Sequence, residues 1–137
     1  MNMTNRHLAI WHKKPTLRAI YDDYYDKITE RFCPGTTVEI GSGIGAFKTK
    51  LGKNLIQTDI QALPWSDLAA DAHHLPFRTG TISNLILVDT LHHIEVPARF
   101  FSEANRVLRS GGRIIMVEPA VTPISWIIYS YFHSEDM

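Results

Sequence analysis

The sequence predicts an α/β fold, a doubly wound and mainly parallel sheet of about five strands (a Rossmann-like core). Three observations carry that expectation. Short β-branched or apolar runs alternate with helix-spaced stretches along the chain, the pattern that right-handed crossovers turn into a parallel sheet. The run over residues 82–88 is nearly all apolar, as a strand covered on both faces must be. The first run, Val38-Glu39-Ile40, leads straight into Gly41-Ser42-Gly43-Ile44-Gly45. Three glycines at alternate positions let a backbone turn sharply and approach a ligand closely.

The elements follow in order. Leu17, Ile20, Tyr21, Tyr24, Tyr25, Ile28 and Phe32 recur at helical spacing, giving a helix over about 16–32 that Pro34-Gly35 stops. A strand covers 36–40. Phe47 and Leu51 share one side of a short helix, and 52–54 turn into a second strand over 55–58, ending at Asp59. A weak third strand falls at 68–70, closed by Asp71, and the fourth covers 82–88. Pro97 opens a helix with the stripe Phe100, Phe101, Ala104, Val107 and Leu108. Gly111-Gly112 is expected to end it, with a fifth strand over 113–117.

Bulk properties narrow the function. With 137 residues the chain holds one domain at most. Fourteen basic residues balance fourteen acidic ones, leaving no electrostatic footprint for nucleic acid. Cys33 is the single cysteine, so there is no disulfide framework, and a reducing cytoplasm is the expected setting. Residues 1–14 are polar and lack the apolar stretch of a signal peptide. The apolar run over 124–132 is far shorter than the roughly 20 residues that span a bilayer.

In open parallel sheets ligands bind beyond the carboxyl ends of the strands. Glu39, Asp59, Asp71, Asp89 and Glu118 are each expected at such an end, which describes a polar crevice. A carboxylate at the entrance of the glycine turn opposes a pyrophosphate and suits an amine-bearing ligand. Asp59 lies 18 positions beyond Gly41, the range at which an acid reaches ribose hydroxyls in this topology. Asp71 can accept from an exocyclic amine while the Ala72 N–H donates to a ring nitrogen. Ile60 is placed to lie against a base.

Between about residues 36 and 119 the chain resembles the class I S-adenosylmethionine-dependent methyltransferases with a small-molecule-type core. The motifs are 38–45, Asp59, Asp71-Ala72-His73-His74-Leu75-Pro76-Phe77, Leu91-His92-His93, and 108–112 followed by 114–119. The resemblance implies roles for a bound S-adenosylmethionine, with S-adenosylhomocysteine as product. Glu39 and the Gly41 backbone would face its amino group; Gly43 and Gly45, flanking Ser42, would allow close approach. Asp59 would hold the ribose, Ile60 would pack on the adenine, and Asp71 with Ala72 would read its edge. The backbone near Asp89 would sit beside the methionine portion. The implied enzyme moves a methyl group to a small-molecule or lipid- or saccharide-linked acceptor, by an in-line displacement that needs mainly alignment. No general base is assigned: His92 and His93 stand near the right strand end but point in different directions.

Other readings are weighed on the same residues. A non-catalytic S-adenosylmethionine-binding module or subunit would share every cofactor motif. A nicotinamide or flavin dinucleotide site fits Gly41-x-Gly43-x-x-Ala46, but it places Glu39 against a pyrophosphate and leaves 71–77 without a role. The two histidine pairs lack further ligands at fixed spacing, so no metal site is expected. The tyrosines read as a packing stripe, and Glu118-Pro119 either ends a strand or borders the acceptor site. Three regions are expected: an N-terminal helical segment over 1–35 capping the cofactor site, the cofactor core over 36–120, and a short apolar tail over 121–137. Family cores continue into a helix and an antiparallel strand pair, for which the tail has no room. The chain is therefore expected to be a fragment, or to pair with a second copy over the open sheet edge as a homodimer.

Overall fold

A computed structural model describes residues 3–120. Five strands, β1 (Thr37–Ile40), β2 (Leu55–Asp59), β3 (Leu68–Ala69), β4 (Ile82–Val88) and β5 (Leu108–Val117), form one sheet in the order β3-β2-β1-β4-β5. Every pairing is parallel. The chain runs outward from β1 through β2 to β3, then returns to place β4 on the other side of β1. Strand order therefore reverses between β1 and β4, where a crevice opens.

Alternation sorts the core into two layers. Val38 and Ile40 of β1 and Leu85 and Leu87 of β4 pack with Phe100, Ala104 and Val107 of helix α4 (Pro97–Val107). On the opposite face Ile86 of β4 and Leu55 of β2 meet Phe47 and, from helix α2 (Pro15–Thr29), Tyr25 and Ile28. Tyr25 stacks on Phe47 with ring centroids 4.2 Å apart. Helix α3 (Lys48–Leu51) follows the glycine turn. Glu39, one residue from Val38 and Ile40, falls on the α2 face because side chains alternate along a strand.

Asn84 stands in β4 as a fully buried polar residue and is fully partnered. Its carboxamide donates to Cys33 O at 2.9 Å and Thr37 Oγ1 at 3.0 Å, and accepts from the Cys33 N–H at 2.9 Å. These bonds latch the α2–β1 connection onto the central strand and offset the cost of burying an amide.

Ahead of α2 the chain forms helix α1 (Met3–Lys13), whose last turn is closed by the Arg18 guanidinium donating to Trp11 O and His12 O, each at 2.8 Å. Two expectations change. Helix α4 stops at Val107, four residues before Gly111, because the Gly80 and Thr81 N–H groups bond its Arg106 and Val107 carbonyls. No glycine cap is needed, and β5 starts at Leu108; the glycines instead lie in the irregularity where its register shifts from Ile82↔Leu108 to Asn84↔Arg113. Ile20 and Phe101, assigned to apolar stripes, are exposed. The apolar tail 121–137, and with it the strand pair and the expected homodimer edge, lies outside the described residues.

Candidate functional site

A cavity of about 890 Å³ opens at the carboxyl ends of β1, β2 and β4 and reaches under α1 and α2. That is near the upper end of ordinary small-molecule sites, roughly 300–1,000 Å³. Nine of the ten cofactor residues singled out in the sequence line it: Glu39, Gly41, Ser42, Gly43, Asp59, Ile60, Asp71, Ala72 and Asp89. Gly45 does not. A Cβ there would come within 2.6 Å of the Trp65 ring, so the third glycine makes room for an indole rather than for a ligand.

Glu39 is buried within β1, one residue short of the strand end. The register sets Gln57 beside it, and Gln57 Nε2 donates to Glu39 Oε2 at 2.7 Å. Burial pushes the Glu39 carboxyl up to about 7, with the Asp59 charge adding to the rise and the Gln57 bond opposing it. Gln57 Oε1 is buried without a partner. The pairing of Gln57 with Glu39 is one that sequence reasoning missed. Only the position of Gln57 opposite Glu39 could have flagged it.

The glycine turn is fixed from both sides. The Ser42 N–H donates to Thr58 O at 2.9 Å and the Gly45 N–H to Ser42 O at 2.8 Å. Asp59 Oδ2 accepts from the Gly43 N–H at 2.9 Å, and Trp65 Nε1 donates to Gly43 O at 2.8 Å. Gly41 has φ +70°, and a Cβ would meet Thr90 Cγ2 at 2.5 Å. At Gly43 no atom lies within 4 Å of where a Cβ would stand. Gly43 is itself one of the residues lining the cavity. Ser42 Oγ, on the same wall, is buried and has no hydrogen-bond partner.

Asp59 Oδ1 also accepts from the Gln61 N–H at 3.0 Å. Each carboxylate oxygen thus keeps one lone pair for a ligand. Ile60 presents an apolar side chain that is 68% exposed on the cavity rim. Asp71 accepts from the His73 N–H at 2.8 Å, which together with the nearby His73 ring holds its carboxyl below the usual range against a small burial effect. His73 Nε2 is a further buried cavity atom without a partner.

Beyond β4 the wall changes character. Asp89 sits at φ +49° with its N–H bonded to Val117 O, and Tyr21 OH donates to its Oδ2 at 2.5 Å. Trp11, Tyr21 and Tyr25 line this side with Ile10, Leu17 and Ile94. The tyrosine stripe is thus both packing and cavity wall. The helical cap expected over 1–35 did not single out Trp11, which lines the cavity from α1. His93 lines the cavity while His92 bonds Glu118. Glu118 is a brace rather than a wall residue: it accepts from the Thr90 and Leu91 N–H groups at 3.0 and 2.7 Å. Burial raises its carboxyl, but the His92 and backbone bonds outweigh that and leave it below the usual range. Among the described residues no group of three His, Cys, Asp or Glu is placed to hold a metal ion.

The profile of the methyltransferase domain family matches residues 38–116, more than half of the chain. The chain belongs to this methyltransferase domain family. The family's cofactor is S-adenosylmethionine, and the cradle fits it: a buried carboxylate at the turn, an unpartnered Ser42 hydroxyl, open space at Gly43 and an exposed apolar side chain at Ile60. Two solved structures share the fold. One is a SAM-dependent methyltransferase, a possible histamine N-methyltransferase, from Thermotoga maritima (TM-score 0.60, 24% identity, covering 67% of this chain and 48% of that one). The other is a putative S-adenosyl-L-methionine-dependent methyltransferase from Methanococcus maripaludis (TM-score 0.61, 22% identity, 84% and 65%). An uncharacterized 37.1 kDa protein in transposon TN4556 of Streptomyces fradiae is 45% identical over 49 residues, 36% of this chain and 14% of that protein. The methyltransferase domain therefore spans less than two thirds of each of these relatives. No helix among the described residues is long and apolar enough to cross a membrane.

Proposed function

We propose that this chain binds S-adenosylmethionine at the β1–β4 switch point and transfers its methyl group to a small-molecule or lipid- or saccharide-linked acceptor in the cytoplasm. The observation that carries the reading is the buried Glu39 carboxylate beside a glycine turn whose Ser42 hydroxyl is unpartnered. Glu39 and the turn would hold the amino acid end, Asp59 the ribose, and Ile60, Asp71 and Ala72 the adenine. The cofactor supplies an activated methyl on a sulfonium. What the protein adds is placement: the fixed turn and the braced loop after β4 align two reactants, an effect worth on the order of 7–11 kcal/mol when geometry is ideal.

Glu118 keeps that loop in place by bonding two of its N–H groups. Helices α1 and α2, within the segment 1–35, line the cavity and would cap the cofactor there. The core over 36–120 would then carry the cofactor.

Calorimetric titration of the chain with S-adenosylmethionine, S-adenosylhomocysteine and NAD tests the reading. Saturable binding of the first two, without NAD binding, is the expected result. Selective NAD binding would overturn it.

A further inference from the structure

The cavity wall carries five carboxylates (Glu39, Asp59, Asp71, Asp89 and Glu95) and, among the described residues, no lysine or arginine. Residues 1–5 and 121–137 contain no lysine or arginine either. The side chains of three of these acids are taken up by the cofactor reading, which uses Asp89 through its backbone. The other two, Asp89 and Glu95, lie on the β4 side with Trp11, Tyr21 and Tyr25.

We infer that the acceptor is an amine on an apolar skeleton, held as an ammonium by Asp89 against the aromatic wall. This rests on the methyltransferase reading above and narrows its acceptor. A carboxylate or phosphate acceptor on this side would face the like charge of Asp89 and Glu95, with histidines (His7, His73 and His93) as the wall's only side chains able to turn positive among the described residues. An ammonium meets the opposite: the Asp89 carboxylate, with the aromatic rings of Trp11 and Tyr21 lining the same cavity, a ring type that attracts cations.

Asp89 is built for the task. Its backbone is pinned by the bond to Val117 O, in a left-handed conformation that few side-chain-bearing residues adopt. Tyr21 engages only Oδ2; Oδ1 has no hydrogen-bond partner among the described residues. Burial, and then the bond to Asp89, push the Tyr21 hydroxyl well above its ordinary value, so it stays a donor at neutral pH. Tyr21 is thus a positioning residue that aims the carboxylate.

In the transfer, the bound ammonium first releases one proton to solvent. The nitrogen lone pair then forms the N–C bond at the methyl carbon as the S–C bond breaks, both electrons of that bond staying on sulfur. A neutral thioether and a methylated ammonium result.

The test is calorimetry on the full chain saturated with S-adenosylhomocysteine, titrated with 2-phenylethylamine, 2-phenylethanol and phenylacetate. The amine should bind at least about tenfold tighter than the acid, with the alcohol between them. Asp89→Asn suits the same backbone, since asparagine tolerates positive φ. It should bring amine and alcohol to within about threefold of each other. Phenylacetate binding as tightly as the amine, no amine binding, or an unchanged preference in Asp89→Asn would each overturn the inference. The preceding S-adenosylhomocysteine titration reports on the cofactor reading separately, so the two can fail independently.

Discussion

The two ends of the cavity are held by different means. On the β1–β2 side nearly every ligand-facing group is fixed by a short bond inside the sheet or its first turn: Gln57 to Glu39, the Gly43 N–H to Asp59, Trp65 to Gly43 O. On the β4 side the wall comes from α1 and α2, and among the described residues a single side-chain bond, Tyr21 to Asp89, joins those helices to the strand end beside the cavity. The first side is pre-organised by backbone geometry that a sheet imposes. The second depends on helix packing, and packing tolerates change more readily. A rigid cofactor cradle beside a replaceable wall is what lets one fold serve many acceptors.

The stack of Tyr25 on Phe47 joins the two sides, and breaking it is the most severe test. Phe47→Ala should lower stability by about 3–5 kcal/mol through transfer and cavity effects, read from denaturant unfolding. A loss below about 1 kcal/mol would mean that α2 does not depend on this contact.

Glu39 gives the next largest effect. Its folded value lies near 7 against an ordinary 4.5, so between those values the native state holds a proton that the unfolded chain has released. Stability should therefore fall as pH rises through that window, by on the order of 2–3 kcal/mol. Binding of an amine-bearing cofactor should strengthen over the same rise, because the carboxylate it needs is forming. Thermal melts and titrations between pH 5 and about 7.5 check both, and Glu39→Gln should flatten both curves.

Asp59→Ala sharpens the comparison on the rigid side alone. Loss of the ribose acceptor should weaken S-adenosylmethionine binding by about 1.5–3 kcal/mol. Unchanged affinity by calorimetry would remove Asp59 from the site. The smallest effect is expected from Tyr21→Phe, which keeps the ring against Trp11 but removes the donor to Asp89. We expect about 1 kcal/mol of lost stability, with cofactor affinity nearly unchanged if the β4 side is as separate as the bonding suggests.

Strand positions were legible because their signals are local. The almost wholly buried run of β4, the glycine turn and the acids near the ends of β2 and β4 all follow from neighbours in sequence. Nine of ten named cofactor residues line the cavity for the same reason: one edge of a parallel sheet collects them. Gly45 was not separable from Gly43, since only the fold brings Trp65 over it. The end of α4 was misplaced because its carbonyls are satisfied by Gly80 and Thr81, partners far away in sequence.

Periodicity and motif spacing, then, determined the sheet, its ligand-binding edge and the chemistry expected of the ligand. Tertiary structure decided the rest: the Glu39–Gln57 pair, the Trp11–Tyr21 contact and the Tyr21–Asp89 link. Each joins residues whose separation along the chain carries no periodic signal, so only packing reveals which polar groups meet and which are left facing the cavity.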